Sequence, residues 1–312
     1  MVNTKLFIAI TIFSIASQAE LREKIVKNPK TGNYDIYYIS ENKIEISTYV
    51  PENKLNLVVQ SKYSFSKKNQ NISYSFNIKN SLKSKQGISS ATLYVADFIS
   101  AKSTDKKWQT RYPPTSNSLT KIVWRHPLGQ NIPLKFVKPG QSMSGLAVTS
   151  TALPGVGMIS ISGGPSPILS FYNEGLTDQK LEAKLDKIRT DNSRKQVITA
   201  IPLISTQGPP DVALSLLKNH LDQMVKLKQL HVDFKNKLSP YFDGAIASLE
   251  QGNIKTAIQD LKAILKLIKK KSKIKRPLYG ISKLANEVLT FDLKFIIKNI
   301  KKDTNDDDSS DD

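Results

Sequence analysis

The sequence predicts an α+β fold with its two kinds of element segregated: an antiparallel β-sandwich followed by a small four-helix bundle. Three observations carry this. Residues 34 to 204 alternate apolar and polar side chains with a dominant period of two. Residues 211 to 302 switch to the 3.6 period of amphipathic helices. Between them stands Gln207-Gly208-Pro209-Pro210, a stiff joint at which the period changes.

The strands follow in order. NISYSFNI puts Ile72, Tyr74, Phe76 and Ile78 on one face, the pattern of a half-buried antiparallel strand. Similar runs are YDIYYIS at 34, KIEISTYV at 43, LNLVVQSKYSF at 55, ATLYVADF at 91, TKIVW at 120, SGLAVTST at 144, VGMISIS at 156 and PILSFY at 167. Gly-, Pro- and Asn-bearing turns separate them, among them PENK, RYPPTSN, KPGQ and LPG. Many short strands at this spacing indicate a sandwich. One helix interrupts them at about 176–190, with Leu181, Leu185 and Ile188 on one stripe and Thr177 as its N-cap.

After the joint, Leu217, Leu221, Met224 and Val225 line a first helical face, which Leu230, Phe234 and Leu238 continue. Ser239-Pro240 has the chemistry of a cap and an N1 proline, so a second helix is expected to start there and to stop at Gly252. A third begins near Asn253 with Ile254, Ile258, Leu261, Leu265 and Ile268 on its apolar edge. Pro277 opens a fourth, which buries Ile281, Leu284, Val288, Ile296 and Ile300. The expected partition is a signal segment at 1–19, a sandwich at 20–206, a linker at 207–210, a bundle at 211–302 and an acidic disordered tail at 303–312.

The first twenty residues, MVNTKLFIAITIFSIASQAE, predict export. Lys5 precedes an apolar run from Leu6 to Ile15, and Ser17 and Ala19 occupy the −3 and −1 positions of a signal-peptidase site. Cleavage is expected after Ala19. No later stretch approaches the roughly 20 apolar residues of a spanning helix. The chain has no cysteine, which excludes disulfides, thiolate metal sites and a Cys nucleophile. A bacterial periplasmic or extracellular protein, held by burial alone, fits these features.

SLEQGNIKTAIQDLKAILKLI, residues 248 to 268, resembles the second half of a tetratricopeptide repeat, but it occurs once, and a solenoid needs about three repeats. It also resembles the C-terminal FIMAH domain of secreted bacterial proteins, with Ala247, Leu249, Gly252, Asn253, Ala257, Leu261, Ile264 and Ile268 in matching places. Upstream, Pro139, Gly140, Ser144, Gly145, Ser150, Leu153, Pro154 and Gly155 are similar to a sequence in β-sandwich modules that precede such helices. The resemblance implies architecture and compartment. It implies no catalytic residues and no cofactor.

Catalytic signatures are sparse. The three histidines, His126, His220 and His231, show no metal spacing, and neither a G-x-S-x-G elbow nor a phosphate loop is present. No cofactor, metal ligand or catalytic residue is assigned. A secreted hydrolase with two carboxylates meeting in space survives as the least favoured class. Trp108 and Tyr112, with Trp124 and Tyr94 as further aromatics, are candidates for contacting a glycan. Trp108, between Lys106, Lys107 and Arg111, is expected to be the exposed one.

Basic charge is the strongest signal. The chain carries a formal net charge of +19, although DTNDDDSSDD at its end holds six Asp. Residues 254 to 302 hold 14 Lys and Arg against 3 Asp and Glu. Lys262, Lys266, Lys269, Lys270 and Lys273 share one helix face away from its apolar edge, and Lys275 and Arg276 extend it. These seven are the candidate polyanion site, for a cell-surface polymer, lipopolysaccharide or extracellular nucleic acid. Lys rather than Arg predicts loose, salt-sensitive contact. The expected function is non-enzymatic binding or scaffolding, with carbohydrate binding as the alternative.

Overall fold

Alternation of apolar and polar residues produces twelve strands in a computed structural model that describes residues 22–116, 118–126, 136–164, 176–272 and 280–307. The run at 167 lies outside those residues. The chain forms two compact units, Met1–Val50 with Pro167–Thr190, and Pro51–Ser166 with Asp191–Asp312.

The smaller unit is a meander of β1 (Lys24–Lys27), β2 (Tyr34–Ser40) and β3 (Lys43–Tyr49) with helix α1 (Gln179–Asn192). Its core joins Ile25, Ile36 and Tyr49 to Leu185 of the helix. The N-cap expected at Thr177 falls one residue later: the Asp178 carboxylate accepts from the Lys180 N–H at 2.8 Å. Thr177 and Asp178 instead donate their own N–H groups to the Glu23 carboxylate.

The larger unit contains the sandwich. One sheet has the order β4 (Leu57–Ser66), β5 (Asn71–Asn80), β10 (Ser142–Ser150) and β7 (Phe98–Ser103). The other runs β12 (Lys195–Ile204), β11 (Leu153–Gly164), β6 (Gly87–Val95), β9 (Thr120–Arg125) and β8 (Gln109–Arg111). Neighbouring strands pair antiparallel throughout. Tyr74, Phe76, Leu93, Ile122, Trp124 and Leu146 fill the space they enclose.

Helices α2 (Pro210–Lys226), α3 (Val232–Glu250), α4 (Ile254–Ser272) and α5 (Lys283–Asp307) follow. The α+β segregation holds, but the helices are not a separately packed body. One apolar cluster runs from Ile78 and Leu93 in the sheets through Leu217 and Leu221 of α2 to Phe242, Leu261 and Val288. The reason is β11, buried along nearly its whole length, which leaves its outer face for α2 and α5 to cover. Each side chain such as Leu217 that enters this seam contributes roughly 2 kcal/mol of burial. The Gln207–Pro210 segment opens α2, with Pro209 as N-cap and Pro210 at N1.

Several helix boundaries differ from expectation, among them the start of the fourth helix, which comes at Lys283 and not at Pro277, a residue outside the described ones. The break after α2 comes at Leu227–His231, where Lys228 takes φ 57° and His231 Nδ1 accepts from the Asp233 N–H at 3.3 Å. Pro240 lies inside α3. The preceding hydroxyl, Ser239, donates to the Lys235 carbonyl at 3.1 Å, back along the same helix, and caps nothing. At the other end, α5 continues to Asp307, so the first five residues of the expected disordered tail are helical.

Candidate functional site

The lysine face arises from helical spacing. Ala257, Leu261, Ile264 and Ile268 are buried on one side of α4, so residues about half a turn away must face out. Lys262, Lys266, Lys269 and Lys270 are exposed, and Lys255 continues the row about two turns earlier. The expected Lys273, Lys275 and Arg276 lie outside the described residues. The helix starts cleanly because Asn253 Oδ1 accepts from the Thr256 N–H and hydroxyl, at 3.4 and 3.0 Å.

Sequence reasoning missed a second contribution. Lys283, Lys294, Lys298 and Lys301 are exposed along α5. Between α4 and α5 lies a groove of about 650 Å³ lined by Tyr63, Leu265, Phe291, Lys269, Glu287 and Lys294, among others. Its apolar floor is held by aromatic packing: Tyr63 meets Phe291 edge-on at 5.0 Å, and Phe65 meets Phe295 the same way. The signal was present as phenylalanines at 291 and 295 interleaved with lysines at 294 and 298. It needed β4 to complete it.

Trp108 and Tyr112 do not form one platform. Trp108 is only 7% exposed, a correction to its expected place in solvent. The β7–β8 turn folds it inward, where it stands edge-to-face with His126 at 6.3 Å. Tyr112 is 49% exposed, but its hydroxyl donates to the Ala101 carbonyl at 2.8 Å and its ring lies against Phe98. Trp124 belongs to the core beside Phe76.

Trp108 does line a half-open cleft of about 580 Å³ at one end of the sandwich, with His126, Phe136, Lys107 and Lys138. Phe136 fits there because Gly87 and Gly164 make room: a Cβ on either would lie 2.5 Å or less from Phe136 atoms. Asp105 and Ser142 also border this cleft. One oxygen of Asp105 is committed to the Lys107 N–H at 3.0 Å.

Two buried ionisable groups sit where helices meet sheet. Burial lowers His220 to about 4, and its Nε2 accepts from the Val156 N–H at 2.8 Å. Asp292 is fully buried, and neither carboxylate oxygen has a partner among the described residues; burial holds its carboxyl well above the usual carboxylate range. Among the described residues, no group of three or more His, Cys, Asp or Glu is placed to hold a metal. No described helix is long and apolar enough to cross a membrane.

No family model matches the chain, and no curated protein matches it. Among solved structures, the chain is similar to an uncharacterized protein from Nocardia farcinica described as having an immunoglobulin-like fold. That match has 12% identity and a TM-score of 0.26, over 45% of this chain and 95% of the other. It is also similar to a cohesin module from a Clostridium perfringens family 33 glycoside hydrolase, with 10% identity and a TM-score of 0.25, over 47% of this chain and 98% of that module.

Proposed function

We propose that this is an exported, non-enzymatic binding or scaffolding protein that associates with anionic surfaces or polymers through the lysine face of α4. The observation that carries the reading is the row Lys255, Lys262, Lys266, Lys269 and Lys270, exposed on a helix whose opposite edge is core. Five cations at helical spacing create a stripe about 22 Å long, from the 1.5 Å rise per residue. Such a stripe attracts a polyanion without fixing its register. The Ser17–Ala19 signal and the absence of cysteine support an exported location. The α3–α4 hairpin, turning at Gly252 and Asn253, supports a FIMAH-like assignment of this part.

The test is binding to heparin between about 50 and 200 mM salt, over which affinity should fall steeply for several phosphate- or sulfate-like contacts. Lys262→Glu with Lys266→Glu should flatten the slope. Affinity unchanged by salt overturns the reading.

The Trp108 cleft supports a second reading, binding of a small acidic sugar between Lys107 and Lys138. Titration with uronic acid oligomers should then shift tryptophan fluorescence saturably, and Lys107→Ala with Lys138→Ala should remove the shift.

A further inference from the structure

Cationic side chains alone suffice for a hydrated polymer, and such a ligand makes no use of apolar floor. The α4–α5 groove offers both. Its walls are the half-buried Tyr63, Leu265 and Phe291, and its volume of about 650 Å³ is that of a small-molecule site. Lys269 stands on its α4 side and Lys294 on its α5 side, both exposed. Among the described residues Glu287 is the single carboxylate on the rim and lies 3.9 Å from Lys283, so the described rim is cationic on balance. Beyond it, the α4 and α5 lysines extend the positive field outward.

We propose that this groove binds an anionic amphiphile, its hydrocarbon chain laid against Tyr63, Leu265 and Phe291 and its acidic headgroup between Lys269 and Lys294. The proposal rests on the anion-binding reading of α4 and narrows it from any anion to one with an apolar tail. Apolar area buried and charge neutralised then add in one ligand, the combination that holds acyl chains and basic patches together at lipid surfaces. Thr290, whose hydroxyl donates to Asn286 Oδ1 at 3.1 Å, also borders the groove and offers a position for blocking it.

Calorimetric titration of the full chain with three probes separates the contributions. Dodecyl phosphate, as monomer below its micelle concentration, carries chain and charge; dodecylphosphocholine carries the chain without net charge; inorganic phosphate carries charge alone. Dodecyl phosphate should bind at least about tenfold tighter than either of the others. Lys269→Glu with Lys294→Glu should remove that preference. Thr290→Trp, which fills the groove and leaves every lysine in place, should weaken dodecyl phosphate while leaving heparin affinity intact. Equal binding of dodecyl phosphate and inorganic phosphate, with heparin binding retained, overturns the amphiphile proposal and leaves the polyanion reading standing. Equal binding of the two dodecyl probes overturns it by removing the headgroup's role. Loss of heparin and dodecyl phosphate binding alike sinks both.

Discussion

The imidazole of His220, on α2, accepts its hydrogen bond from the backbone N–H of Val156, on β11, at 2.8 Å. The ring is therefore neutral and carries its proton on Nδ1. Gly155 permits the approach, because a Cβ there would sit 3.1 Å from Nε2 and 2.8 Å from Leu203. One bond thus joins α2 to the most buried strand. Burial depresses the folded value to about 4 from 6.5. The unfolded chain takes the proton first, so this contribution is full above pH 6.5 and is lost as pH falls toward 4. The loss is roughly 3 kcal/mol at about 1.4 kcal/mol per pH unit. Urea midpoints compared at pH 7 and pH 4.5 should drop further for the wild type than for His220→Gln, which keeps an acceptor that does not titrate. Parallel drops would disprove the assignment.

Asp292 should behave with the opposite sign. Its folded value is raised by burial, so the folded state holds the proton more tightly than the unfolded chain does. The cost is absent below the unfolded carboxylate range and grows as pH rises toward the folded value. The phenols of Tyr63 and Tyr74 are likewise pushed up, by burial first and by the Asp292 carboxylate second. Asp292→Leu removes a buried polar group that has no partner among the described residues and should stabilise by about 1–3 kcal/mol at pH 8. The gain should shrink toward pH 4. A variant equally stabilised at both pH values would place the effect in packing instead of ionisation.

The shared core makes the helices dependent on the sheet. A fragment spanning residues 205–307 would expose Leu217, Leu221 and Val288 wherever they meet β11 and β12. It should show helical circular dichroism without a cooperative thermal transition, and proteolysis near Gly208 should release no stable domain. A sharp melt of that fragment would restore the independent bundle.

Strand positions were legible because Ile72, Tyr74, Phe76 and Ile78 alternate cleanly, and the buried edge of α4 because Leu261, Ile264 and Ile268 keep helical spacing. The union of sheet and helices was also written in the chain, less obviously. Val197, Ile198, Ala200, Ile201 and Leu203 make β12 a near-continuous apolar run, which signals cover on both faces rather than one. Trp108 was misplaced because neighbouring lysines suggest solvent, whereas the Asp105 turn points the indole inward against His126. The groove was only half written locally, in Phe291 and Phe295 interleaved with Lys294 and Lys298, because its floor is completed by residue 63 meeting residue 291.

The α2–α3 boundary was missed for a reason that can be measured. Sequence logic expects glycine or asparagine where a helix ends in a left-handed residue, and α3 obeys, with Gly252 at φ 71° and, among the described residues, nothing within 4 Å of where its Cβ would be. The end of α2 does not obey: Lys228 occupies φ 57° while the Gln229 N–H closes the turn onto the Met224 carbonyl at 2.8 Å. An L-residue there carries about 1–2 kcal/mol of strain. Gly252→Ala, free of clashes, should therefore destabilise by about 1 kcal/mol through backbone conformation alone. Lys228→Gly should stabilise by less than about 1 kcal/mol, because the added freedom of the unfolded chain offsets part of the relief. Chemical denaturation of both variants at constant m-value tests the pair, and a destabilised Lys228→Gly would mean that the lysine side chain, not the turn, secures the end of α2.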